Sequence, residues 1–187
     1  FGGEPEWIEL FNNSNIDINL KDWTVWDVVT TPAKATITQN FIISANGYAV
    51  LTKDSSITNY HRFVPAPILK LSLPSFNNDR DGVVIKDNRG IEIDSVFYSN
   101  QWGGTNGFSL ERISSAAASN NQYNWASGID IEQSTPGRVN SITPKAVSYT
   151  HLRAHETVLD LVCRLLLEQK TQQLYHTVIY SIDSQNN

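Results

Sequence analysis

The sequence predicts an all-β fold built as an antiparallel β-sandwich. Three observations carry this. Short apolar stretches, several alternating with polar residues, recur at roughly even spacing between residues 6 and 113. Clusters of Asn, Gly and Pro divide them. No segment before about residue 150 repeats its apolar positions at helical spacing.

Glu6-Trp7-Ile8-Glu9-Leu10-Phe11-Asn12 opens the strand series. It carries apolar groups on both faces, so it is expected to be covered on both sides. Asn12 to Asn15 is turn chemistry. Ile16, Ile18 and Leu20 alternate with Asp17 and Asn19, the pattern of a strand with one buried face. Trp23 and Trp26 are three apart, so one is expected in the core and the other outside it. Ala35 to Thr38 and Phe41 to Ile43 are short β candidates. Ser44-Ala45-Asn46-Gly47 is a turn, with Gly47 suited to positive φ. Tyr48 to Thr52 is the next strand. Lys53 to Pro67 is a polar crossing. Lys70 to Pro74 is an edge element, where Pro is tolerated.

Val83 to Lys86, the turn Asp87-Asn88-Arg89-Gly90, and Ile91 to Tyr98 form the clearest hairpin. Ile91, Ile93 and Ser95 share one face of the second strand, and Glu92, Asp94 and Val96 the other. Phe108 to Ile113 is a further strand, Ser114 to Gln122 a small-residue loop and Trp125 an isolated anchor. Thr135-Pro136-Gly137 closes the domain with a turn.

The totals narrow the function. A chain of 187 residues can bury roughly 70% of its unfolded surface in one domain. Its apolar content of 40% and charged content of 18% fit a folded chain rather than a disordered one. The net charge of −5 opposes direct nucleic-acid binding, which needs a positive field. No apolar run is long enough to span a bilayer as a helix. There is no methionine, and the sequence opens at Phe1 in mid-phrase; it reads as a fragment or a processed form. The single cysteine, Cys163, excludes an internal disulfide.

Taken in order, several of these blocks resemble the lamin tail domain family. They are Glu6 to Asn12, Leu20-x-x-Trp23-Thr24-Val25, Gly47 to Leu51, Gly90-x-x-x-Asp94-Ser95-Val96-x-Tyr98, Ser109 to Arg112, Trp125 to Ser127 and Thr135-Pro136-Gly137-x-x-Asn140. The resemblance spans about residues 4–142 and is nearest to the bacterial, exported branch. It implies an immunoglobulin-like sandwich without catalytic residues. It also implies a binding or tethering module of a secreted or cell-surface protein, with an unspecified protein or glycan partner and further domains in the parent chain. Two other functions are compatible with these residues. One is a calcium-assisted carbohydrate-binding domain. The other is an accessory domain of an extracellular nuclease or hydrolase whose catalytic part lies outside this fragment.

The composition changes after Lys145, which sets the expected domain at 1–145 and a helical tail at 146–187. Thr150 is suited to cap a helix, and Leu152, Leu159, Val162, Cys163 and Leu166 fall near one helical stripe. Tyr175 to Ile182 reads as a β-like end. Residues 146–170 also resemble a recurring spurious peptide translated from adapter sequence, so the tail is expected not to be native.

Candidate chemistry is sparse. Asn77-x-Asp79-x-Asp81-Gly82 resembles the first half of a calcium loop, with alternate oxygen ligands before a glycine. Its twelfth position is Asn88 rather than a bidentate Glu. Glu6, Glu9, Asp94 and Glu111 are the carboxylates available for acid–base work; the ordinary reading places them on solvent faces. His61 reads as a solvated loop histidine. His151 and His155 have metal spacing but lack a third ligand. Gly103-Gly104-x-x-Gly107 lacks the strand and helix that a phosphate loop needs. Trp26, Tyr60 and Trp102 are the candidate exposed aromatics, suited to stack on a sugar or anchor a partner.

Overall fold

The computed structural model describes residues 3–29, 32–145 and 177–183. The strands are β1 (Trp7–Asn12), β2 (Ile18–Asn19), β3 (Thr24–Asp27), β4 (Ala33–Thr36), β5 (Ile42–Ile43), β6 (Tyr48–Thr52), β7 (Ile68–Lys70), β8 (Arg80–Lys86), β9 (Glu92–Ser99), β10 (Leu110–Arg112), β11 (Trp125–Ser127) and β12 (Thr177–Asp183). Two short 3-10 turns, Ser55–Asn59 and Gln122–Asn124, interrupt the loops.

A six-stranded sheet has the order β11-β10-β12-β1-β6-β7, and a four-stranded sheet the order β4-β3-β8-β9. A two-stranded ribbon pairs β2 with β5. Apolar side chains from both sheets and the ribbon meet in one core. Ile8, Leu10, Ala49, Leu51 and Leu110 come from the larger sheet; Val25, Val83, Ile85, Val96 and Tyr98 come from the smaller; Ile18 and Ile43 come from the ribbon. The all-β sandwich therefore stands. It is not purely antiparallel, because the edge strand β7 runs parallel to β6.

β1 is covered on both faces, as its sequence requires. Ile8 and Leu10 enter the main core. On the other face Trp7 packs with Val50 and Ile57 in a second cluster, which Val64 and Ile68 flank. Trp23 is buried and Trp26 is half-buried. The turn before β6 differs in detail from the expectation. Asn46 takes the left-handed conformation, with φ of 55°. Gly47 is needed for space instead, since a Cβ there would lie 2.9 Å from the Ser44 carbonyl oxygen.

On β9 the buried face is the one that carries Asp94, Val96 and Tyr98, whereas Ile91 and Phe97 are about half exposed. The β8–β9 register shifts between Ile85 and Lys86, and Ile93 packs partly buried against the core. The irregular register, not the alternation alone, decides which apolar residues go inside.

The β-like end expected at Tyr175 to Ile182 is present, but it belongs to the larger sheet and not to a helical appendage running to residue 187. Thr177–Asp183 is a strand inside the larger sheet, antiparallel to β1 on one side and β10 on the other. Its run of Thr, Val, Ile and Tyr suits a pleated surface. This pairing also crosses the boundary expected at residue 145. The helix expected from Thr150 to about Leu174, and the His151–His155 pair, lie outside the described residues.

Candidate functional site

The glutamates expected on solvent faces are buried instead. Glu9 and Glu111 are fully buried, and Glu6 is nearly so. The Thr135–Ser141 segment supplies most of the partners of Glu9 and Glu111. Glu9 accepts from the Gly137 backbone N–H. Glu111 Oε1 accepts from the hydroxyls of Thr135, at 2.9 Å, and Ser109, at 3.2 Å. Its Oε2 accepts from the Ser141 N–H and hydroxyl, both at 2.7 Å. Asn140 Nδ2 donates to the Arg112 carbonyl at 3.0 Å. Glu6 pairs with Lys53. Glu9 and Glu111 hold the closing segment against the sheet, and none of the three is a solvent-face charge.

His61 is likewise buried rather than solvated. Its Nε2 lies 2.6 Å from Glu4 Oε1, which also accepts from the Trp7 indole N–H at 3.0 Å. Arg112 is buried and paired with Asp94, and its guanidinium donates to the carbonyls of Ser114 and Ala117. Asp94 also accepts from the Ser119 hydroxyl.

The calcium-loop carboxylates accept hydrogen bonds from the chain itself. Asp81 is fully buried on β8. Its oxygens accept from the Asn77 N–H at 2.7 Å, the Asn77 side-chain amide at 3.0 Å and the Gly82 N–H at 2.7 Å. Asp79 accepts from the Arg80 N–H. Among the described residues no group of three His, Cys, Asp or Glu is placed to hold a metal. Asp81 instead lies against Asp27, which is also buried. Burial raises the Asp81 pKa above its ordinary value; the hydrogen bonds from Asn77 and Gly82 pull it down, and the hydrogen bond and charge of Asp27 push it up further.

Of the three candidate aromatics, two are occupied. The Trp26 ring lies 5.0 Å from the Lys34 ammonium and 5.1 Å from that of Lys86, and its indole N–H donates to Thr24. Tyr60 donates its hydroxyl to the Gly3 carbonyl at 2.7 Å. Trp102 is half-buried and lines an open cleft of about 420 Å³ with Gln101, Gln122, Tyr123 and Trp125.

Local structure fixes that cleft from both sides. Trp102 follows β9 in a turn closed by its N–H on the Ser99 carbonyl at 2.9 Å. Gly103 has φ of 133°, and a Cβ there would lie 2.3 Å from the Ser127 nitrogen. The loop therefore rests directly on β11. Opposite, Asn121 caps the Gln122–Asn124 turn by accepting from the Tyr123 N–H at 3.1 Å. The Asn124 side chain donates to the Ser114 carbonyl at 2.9 Å and accepts from the Ser114 N–H at 3.0 Å. The buried Trp125 indole donates to the Ser119 carbonyl at 2.7 Å. Tyr123 itself is 81% exposed. Sequence reasoning missed Tyr123: the Gln-Tyr-Asn triplet ends a loop, and only the tertiary fold brings it beside Gln101-Trp102.

A second cleft of similar size is lined by Asp17, Ile18, Asn19, Trp23 and Asp87 to Arg89. Its charged groups are already engaged: Asp87 holds Arg89 at 2.8 Å, and Asp17 accepts from the Ala45 N–H at 2.9 Å.

A comparison with curated proteins gives no match. The family model described as Lamin Tail Domain matches residues 2–100. It takes in β1 to β9, the ribbon and all of the smaller sheet. The match and the immunoglobulin-like sandwich agree, and the chain belongs to the lamin tail domain family, a non-catalytic immunoglobulin-like module.

Proposed function

We propose that this chain is a recognition module that tethers a secreted or cell-surface bacterial protein to its target. The observation that carries this is the Trp102–Tyr123 cleft. Tyr123 is largely exposed, yet backbone hydrogen bonds hold its turn and the facing loop in place. An ordered aromatic that contributes little burial is suited to a contact made with something else. The buried carboxylates support a binding role rather than a reaction, since Glu9 and Glu111 are engaged in holding residues 135–141.

The test is retention of the intact chain on isolated bacterial envelopes, measured by cosedimentation. Wild type is expected in the pellet and Tyr123→Ala largely in the supernatant. Equal retention of the two proteins, or none of either, rejects the reading.

A further inference from the structure

We infer that the Trp102–Tyr123 cleft binds neutral saccharide chains. This rests on the recognition role proposed above and names the ligand class for the same cleft. The chemistry of the lining points there. Tyr123 and the half-buried Trp102 provide aromatic surface, and Gln101 and Gln122 provide two primary amides. No carboxylate, ammonium or guanidinium is among them. A pyranose ring has apolar C–H faces and a rim of hydroxyls, each both donor and acceptor. Aromatic rings match the faces. Each Gln amide donates from its NH₂ and accepts at its carbonyl, so it can meet a hydroxyl in either sense. A phosphate or uronate ligand would surrender hydration here without gaining an opposite charge.

The geometry adds preorganisation. The Trp102 loop is held against β11 by the Gly104 N–H on the Ser127 hydroxyl at 2.9 Å. The Tyr123 turn is held by Asn121 and Asn124. Neither platform must be ordered by the ligand, which lowers the entropic cost of binding. The volume of about 420 Å³ lies within the ordinary range for ligand clefts, about 300–1,000 Å³. Binding here needs no calcium, because Asn77, Asp79 and Asp81 do not line the cleft.

The experiment uses the intact chain on an array of neutral, uronate-containing and sialylated oligosaccharides, with and without chelator. Titration of the strongest neutral ligand follows, read by tryptophan fluorescence. The expected result is binding to neutral glycans only, unchanged by chelator. Tyr123→Ala should weaken it about tenfold, with an unchanged melting temperature, and Gln122→Ala should weaken it a few-fold. Preference for acidic glycans, loss of binding with chelator, or full affinity in Tyr123→Ala overturns the inference. So does a blank array, and the envelope assay then separates two cases. Retention that still depends on Tyr123 means that the module recognises something other than a sugar. Loss of that retention as well removes the recognition role itself.

Discussion

Glu111 concentrates more structural hydrogen bonds than any apolar contact near it could replace. Ser109, Thr135 and Ser141 all donate to its two oxygens. Glu111→Ala should therefore cost about 3 kcal/mol in urea unfolding, because it leaves several buried donors without an acceptor. A loss below about 0.5 kcal/mol would mean that water replaces the carboxylate at no cost. Asp27 and Asp81 behave oppositely. The folded state raises the Asp81 pKa, so the native protein holds a proton there more tightly than the unfolded chain does. Between the unfolded and folded pKa values, stability from this group falls as pH rises. Asp27→Asn keeps an oxygen for the Val29 N–H, which Asp27 accepts at 2.9 Å, and turns an NH₂ toward Asp81. The variant should be more stable than wild type at neutral pH by roughly 0.5–2 kcal/mol. The gain should shrink as pH falls through the Asp81 transition. A pH-independent difference in denaturation midpoint would contradict the shared carboxylate site. None of these roles was legible locally. Glu9 and Glu111 alternate with apolar neighbours just as solvent-facing acids do, and the segment that covers them lies far along the chain.

The β8–β9 hairpin was legible as an element. Its turn residues announce themselves, and the structure explains why Asp87 leads them. Asp87 Oδ1 accepts from the N–H groups of Arg89 and Ile91, both at 2.9 Å, and Oδ2 from the Arg89 side chain. Burial works to raise its pKa, but these hydrogen bonds and the Arg89 charge outweigh it and hold the pKa below the ordinary carboxylate value. The stabilisation is present above the unfolded pKa and is lost as pH falls through the folded one. Asp87→Ala should cost about 1–2 kcal/mol at neutral pH, with the cost fading in acid. A cost that stays constant from neutral pH into acid would show that the carboxylate charge contributes nothing. What the alternation could not give is the register shift at Ile85 and Lys86. The extra residue there is Ile93, which packs partly buried against the core, whereas Ile91 precedes β9 and is half exposed. The Trp102–Tyr123 cleft has the same origin in tertiary structure: two unremarkable dipeptides become one surface only because the loop after β9 and the turn before β11 line the same cleft.

For the molecule as a whole, the sandwich and its family were readable because buried strand faces repeat with period two and the turn residues bracket them. The place of the last strand was not, because strand pairing between distant segments leaves no local mark. Truncation after Lys145 should accordingly be harmful. It removes β12 and leaves β1 and β10 each with an unpaired edge inside the sheet. The 1–145 fragment should melt at lower temperature and self-associate in light scattering, as exposed edges do. A monomeric fragment with wild-type stability would show that the sheet closes without β12. The position of β12 also bears on how the protein comes into being. Strand β1 leaves the ribosome before every other described strand, and the neighbour that completes its pairing is the last of them to follow. Nearly the whole of this unit must be translated before its larger sheet can close. Until then the nascent chain carries two open edges, and chaperones that shield extended segments have their longest opportunity to act.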